Sequence, residues 1–326
     1  MATPPPSPAW PDGKRFAFAV VDDTDVATVD NTRPVYDLLE RLGMCATKTV
    51  WPVACPEGSP NFATSQTLDD PAYLTFVLDL QRRGFEITWH GATMESSRRE
   101  RTAAALESFR GALGHYPRIH INHAENRENL YWGPARLDEP LLRSLVRQLG
   151  PAPDYFVGHV PNTPFWWGDL CARHFTYARN LTFDEINLLR ANPTLPYRDR
   201  TRPLVAWWFS ASDAEDVTEF NSLLRPANQK RLEAEGGLCI VATHFGKGFA
   251  PAGEVHSETR RVLERLTARP GWFPSVGTLL DWLREQGWGG DLPAEEWRRM
   301  QWRWARDLVR RKLRQRVGAY GRAVEP

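Results

Sequence analysis

The chain has 326 residues, 42% of them hydrophobic and 25% charged, the proportions of an ordinary globular protein with room for one large or two small domains. Its 41 basic and 40 acidic side chains leave a formal charge of +1, which excludes a strong global pull toward nucleic acid. No run is apolar enough to span a bilayer, the proline-rich start lacks the core of a secretion signal, and the four cysteines show no CxxC pair, so a cytoplasmic protein with reduced thiols is expected.

Strand-like and helix-like segments alternate. Residues 16–21 read as an apolar strand and 32–42 as a helix, with Val35, Leu38, Leu39 and Leu42 at helical spacing before Gly43. A β-rich run at 45–53, a helix at 70–83, a strand at 85–89 and a long amphipathic helix at 96–113 follow. Next come a short strand at 118–122 and a helix at 138–149, with Asp138 as its N-cap and Pro140 in its first turn. Further strands are expected at 155–157, 175–178, 204–209 and 238–243, and helices at 228–235, 254–268 and 276–285. Such alternation predicts an α/β protein built on a parallel sheet or a β/α barrel of about seven strands. The expected division is a disordered proline-rich lead over 1–13, one catalytic domain over 14–290, and a basic, tryptophan-rich helical tail over 291–326.

Several of these strands end in residues able to bind metal or move protons. Asp22-Asp23 follows the first, His90 the third, His123 the fourth and His244 the last. Loops beyond the C-terminal ends of parallel strands are where β/α folds carry their sites. Adjacent strand residues point to opposite faces, so Asp22 and Asp23 can take different tasks, one as metal ligand and one as base; a polar turn is the alternative. His120 and His123 are three apart and fall on opposite faces, which makes His123, nearer the strand end, the better ligand candidate. Around it, Asn126 and Trp132 lie in a segment dense in polar groups, which equally suits a loop fixing its own backbone. Trp167, Trp207 and Trp208 offer flat faces for sugar C–H surfaces, or core packing. His244 sits in Thr-His-Phe-Gly-Lys-Gly, placed to protonate a leaving group or simply to brace a glycine-rich turn. There is no phosphate loop, no GxSxG elbow and no HExxH. In the tail, Trp297, Met300, Trp304 and Leu308 form a helical stripe that should pack on the domain. The arginines beside it read first as a solvated face, with peripheral contact to anionic lipid or an anionic glycan carrier as the alternative.

In this order the segments resemble the motifs of the polysaccharide deacetylase family, carbohydrate esterase family four. Val20-Val21-Asp22-Asp23 resembles its T-F-D-D motif, His90 the first histidine of its H-x-x-x-H motif, with Met94 in place of the second, Trp207-Trp208 loosely its fourth motif, and Thr243-His244 its Leu-His pair. The resemblance implies a distorted β/α barrel and a hydrolase that removes an N-acyl group, acetyl by expectation, from an amino sugar, free or lipid-linked. It implies Asp22 as base, Asp23 and His90 as ligands of a divalent ion, zinc by expectation, and His244 as general acid. His123, at the end of the neighbouring strand, stands in for the ligand lost at Met94. Another C–N hydrolase on the same fold, and an inactive carbohydrate-binding barrel, are the alternatives.

Overall fold

Six of the seven residues of the first strand are apolar, and all seven are buried, the pattern of a strand covered on both faces. The computed structural model describes residues 6–61, 64–152 and 154–322, with side chains described to Leu313. Its strands are β1 (Phe16–Asp22), β2 (Thr47–Val50), β3 (Glu86–Trp89), β4 (Ile119–His120), β5 (Tyr177–Phe183), β6 (Tyr197–Arg198), β7 (Trp207–Asp213), β8 (Leu238–Thr243), β9 (Gly271–Trp272) and β10 (Gly290–Asp291). The helices are α1 (Val29–Arg41), α2 (Pro71–Arg82), α3 (Arg99–Leu113), α4 (Pro140–Leu149), α5 (Gly168–His174), α6 (Val217–Leu223), α7 (Pro226–Ala234), α8 (Ser257–Thr267), α9 (Val276–Glu285) and α10 (Ala294–Arg322).

Strands β1, β2, β3, β4, β5, β7 and β8 pair in parallel in that order, and β7 returns to β8 through Ser212↔Val241 and Asp213↔Ala242. The sheet thus closes into a seven-stranded parallel barrel surrounded by helices, the expected fold class. Short β6 and β10 extend it beyond β7, with β6 antiparallel to β7, and β9 pairs with the start of β1. A register shift between Arg179 and Thr182 bends β5, as bulges do.

One end of the barrel is closed by α9. Its first backbone amides donate to side chains on the opening residues of two strands: Val276 N to Thr47 Oγ1 at 2.8 Å and Gly277 N to Glu86 Oε2 at 2.9 Å. Farther along, Asp281 accepts from Arg118 and from the Tyr177 hydroxyl, and Arg284 lies 4.6 Å from the Trp207 ring centre. This is the floor, so the strands' C-terminal ends form the mouth.

Several expectations need correction. Residues 155–157 form no strand; Val157 N donates to Arg127 O within a loop. Strand β7 begins three residues later than expected and runs to Asp213, because the 204–206 segment is a turn. Asp138 does not cap α4: its carboxylate is taken by Arg202 and by the Trp297 indole, and Glu139 holds the cap position without a side-chain bond. Of the lead, residues 1–5 lie outside the described residues. Pro8 and Trp10 are buried, Trp10 donating to Gly236 O and stacking 5.4 Å from Trp282, because an indole gains more from burial than a short lead gains from freedom. The tail stripe, by contrast, packs as expected: Trp297, Met300 and Trp304 of α10 are buried against the barrel, and Leu308 is partly so.

Candidate active site at the barrel mouth

Asp22 ends β1 with its side chain on the face toward α1 and β2. It is fully buried: Oδ2 accepts from the Tyr36 hydroxyl at 2.7 Å and from Lys48 Nζ at 3.0 Å, and Oδ1 accepts from Phe245 N at 2.8 Å. Lys48 is also fully buried, and although burial opposes its charge, Asp22 keeps its pKa raised. Burial, with Asp22 adding to it, likewise raises the Tyr36 hydroxyl well above its usual range. A carboxylate with three donors and no access to solvent is a structural charge, which corrects the expectation that Asp22 is the base.

Asp23, on the opposite face, is held by Arg179 in a bidentate pair at 3.0 and 2.5 Å. Burial alone would raise its pKa; the Arg179 guanidinium, His90 and His244 outweigh this and lower it. Arg179 was not among the residues singled out from sequence, since nothing near it in the chain marks it, and the β5 bulge begins at its position.

Asp25 follows in the run Asp22-Asp23-Thr24-Asp25 with no local pattern to mark it, yet three histidines face it. His90 Nε2 lies 3.3 Å from Oδ1, and His244 and His123 Nε2 lie 3.3 and 3.7 Å from Oδ2. Three strand ends therefore converge on one carboxylate. Two glycines permit it. A Cβ on Gly91 would stand 2.8 Å from the Trp51 ring, at a φ of +155° that side chains rarely adopt, and one on Gly246 would stand 2.7 Å from Val26 O, where the β8 loop meets the β1 loop. Trp51 packs under the pair, its ring centre 4.8 Å from His90 and 5.3 Å from His123.

The outer nitrogens settle the tautomers. Asn126 Nδ2 donates to Thr93 O, Glu95 O and Glu128 Oε1, so its Oδ1 must accept from His123 Nδ1, 3.0 Å away. His244 Nδ1 can only donate to the carbonyl of Glu215, at 2.8 Å. Both rings thus turn their Nε2 atoms toward Asp25. Burial and His90 lower the pKa of His123, which favours a bare lone pair there. For His244, burial acts in the same sense but the carboxylates of Asp25 and Asp23 reverse it and raise the pKa. Asp25 itself is driven well below the usual carboxylate range, the histidines overcoming a burial effect of opposite sign. Its Oδ1 is nonetheless buried without a well-formed hydrogen bond.

Unprotonated Nε2 atoms aimed at a carboxylate repel it, and either a proton on the ring, as the raised pKa of His244 favours, or a cation relieves this. One carboxylate with imidazoles, those of His123 and His244 oriented by outer acceptors and that of His90 with its Nδ1 buried and unpartnered, is donor chemistry of the zinc type. Among the described residues, however, no three such side chains stand as a preformed metal cage, since the imidazoles close directly on the Asp25 oxygens.

The remaining expected residues scatter. Asn126 is buried behind His123 and orients it rather than facing a substrate. Trp167 is core, donating to Glu128 O and packing near Trp89 and Phe175. Trp208 is core beside Tyr131. Trp207 stands on the floor under Arg284, at the opposite end from the histidines. Trp132 is half-buried, with the Arg136 guanidinium 3.6 Å from its ring centre. Packing takes up the rings of Trp167 and Trp208, and Trp207 lies at the far end, so these three do not line the mouth as an aromatic wall. Met94 turns into a cavity of about 410 Å³ that Trp51 and Thr93 also line, its sulfur accepting from Thr64 Oγ1 at 2.9 Å.

No family model and no curated sequence matches the chain. Solved structures do. A putative polysaccharide deacetylase from Mycobacterium smegmatis is 14% identical, with 90% of this chain and 98% of that chain covered and a TM-score of 0.53. The Puue allantoinase is also 14% identical, with 86% and 94% covered and a TM-score of 0.53. At such identities the likeness concerns the fold alone: the chain has the distorted β/α barrel that these structures share.

Proposed function

We propose that this divergent polysaccharide deacetylase barrel is a metal-dependent hydrolase that removes an N-acyl group, acetyl in the first instance, from an amino sugar. The observation that carries the reading is the meeting of His90, His123 and His244 around Asp25, two residues beyond an Asp23 already clamped by Arg179.

In this reading Asp25, His90 and His123 hold a divalent ion, zinc being the choice that suits one carboxylate and two imidazoles. When bound there, such an ion would supply Lewis acidity to the acyl carbonyl and to the attacking water. Asp23 accepts the proton of the attacking water, and Arg179 fixes the carboxylate's orientation while keeping it anionic at neutral pH. His244, with Nδ1 tied to Glu215 O, delivers a proton from Nε2 to the departing amine. Water adds its oxygen to the acyl carbon, the C–N bond breaks, and the products are a carboxylic acid and a free amine.

A second reading is hydrolysis of a small amide that is not a sugar. The burial of Trp167 and Trp208 and the floor position of Trp207 favour it, because they remove the expected sugar platform. Acetate release from N-acetylated glucosamine oligomers, with and without a chelator, tests the first reading against a panel of linear and cyclic amides. Release that a chelator does not slow excludes the metal role, and turnover of the small amides alone excludes the sugar. An inactive carbohydrate-binding barrel is the outcome if neither panel turns over.

A further inference from the structure

Large apolar side chains are exposed at few places on this protein, and those places are not scattered. Among the described residues, Leu141, Leu145 and Leu149 on α4 and Trp302, Val309 and Leu313 on α10 make up all of them but Val160, with Leu149 as much as 84% exposed. The leucines recur at i, i+4 and i+8 and form one stripe; Trp302, Val309 and Leu313 recur at i, i+7 and i+11 and form another. The two helices are tied together: Gln301 Oε1 accepts from Asp138 N and Glu139 N at the start of α4, at 2.7 and 2.8 Å, and Trp297 donates to Asp138.

Charge is sorted in the same way. The whole chain is nearly neutral, at +1. Yet Arg143 and Arg147 on α4 and Arg298, Arg299, Arg310 and Lys312 on α10 are exposed, and none of these six forms an ion pair among the described residues. Helix α4 contains no acidic residue, and on α10 the acidic residues beyond its first, Glu295, are Glu296 and Asp307, both buried.

We propose that α4 and α10 form one docking surface for an anionic phospholipid bilayer, with the apolar stripes set into the interface and the six cations over the headgroups. The combination selects the occupant. A soluble polyanion would neutralise the arginines and leave the leucines in water. A second copy of the chain would cover the leucines but bring like charges face to face. An anionic membrane surface satisfies both terms at once. The surface also adjoins the mouth: on α10, Asp307 accepts from Asp184 N just past β5, and Arg311 pairs with Asp213 at the end of β7. A barrel docked this way holds its mouth close to the membrane surface. The inference stands on the surface alone and does not need the hydrolase reading.

The test is co-flotation of the full-length protein with vesicles of phosphatidylcholine alone and of phosphatidylcholine mixed with phosphatidylglycerol. The protein should float with the anionic vesicles and not with the neutral ones, and added salt should weaken binding. Each cation replaced by glutamine should weaken it roughly fivefold. The triple variant L141E/L145E/L149E should lose flotation while keeping its circular dichroism and melting temperature. Equal flotation with both vesicle types, or none with either, overturns the proposal without any variant. Retention of binding by the triple variant, with competition by soluble polyphosphate, assigns the surface to a polyanion instead. A leucine-dependent dimer in light scattering assigns it to a second copy.

Discussion

Two carboxylates three positions apart end the first strand in opposite circumstances. Asp22 lies in a sealed inclusion where Tyr36, Lys48 and a backbone amide satisfy it. Asp25 lies at the mouth among three imidazoles, with one oxygen lacking a well-formed hydrogen bond. The contrast separates a charge fully paired inside the fold from one left short of partners at the mouth. A satisfied buried pair resists change, whereas an unsatisfied cluster needs a proton or a metal to complete it.

The sharpest way to break this comparison is to neutralise each side. Asp23→Asn should lower kcat/KM for amide hydrolysis by about 10²–10⁴, the usual contribution of a general base, with the fold intact by circular dichroism. Full activity would transfer the role of base to another group. Asp22→Asn should do the opposite: it leaves Lys48 buried without a counter-charge and should cost about 3–5 kcal/mol in urea unfolding, with turnover per folded molecule retained. The pair D22L/K48M should recover most of that stability, and failure to do so would mean that the inclusion has a role beyond charge balance.

Smaller effects sharpen the mouth's side. His123→Ala should abolish tight zinc binding in a competition titration. Asn126→Ala, which frees the His123 ring to turn, should weaken it roughly 10–100-fold. Unchanged affinity in both variants would remove His123 from the ligand set.

The mildest prediction concerns Glu128, which accepts from Asn126 and from Ser97 N. Burial pushes its pKa up to about 7, against hydrogen bonds that pull the other way. A carboxyl raised in the folded state stabilises the protein fully below its unfolded pKa, and that stability is lost as pH rises through the folded value. Between pH ~6 and ~8 the wild type should lose about 1 kcal/mol of unfolding free energy that Glu128→Gln does not lose. A pH-independent difference between the two would contradict it.

Much was legible before folding was considered. Apolar runs ending in Asp and His located β1, β3 and β8 and their polar ends, because hydrophobic period and a polar terminus are local properties. His90, His123 and His244 follow from that pattern, and so does the barrel. Within Asp22-Asp23-Thr24-Asp25, however, alternation says only that neighbours face apart. It cannot say which face is the mouth, and only the folded chain shows Asp22 sealed away from solvent while Asp23 and Asp25 face the histidines.

The amino-acid sequence by itself determined a parallel β/α barrel and the residue types gathered at its mouth, since periodicity, caps and strand-end chemistry are written within a few residues of one another. Only the tertiary structure decided the rest. Lys48 and Tyr36 claimed Asp22 from neighbouring elements, Arg179 reached Asp23 across 156 positions of chain, and α10 folded back to sheathe the barrel with its charged face outward. The physical reason is that burial and pairing of charge depend on which elements become neighbours, and closure of the barrel through β7 and β8 sets those neighbours at distances along the chain that no local pattern records.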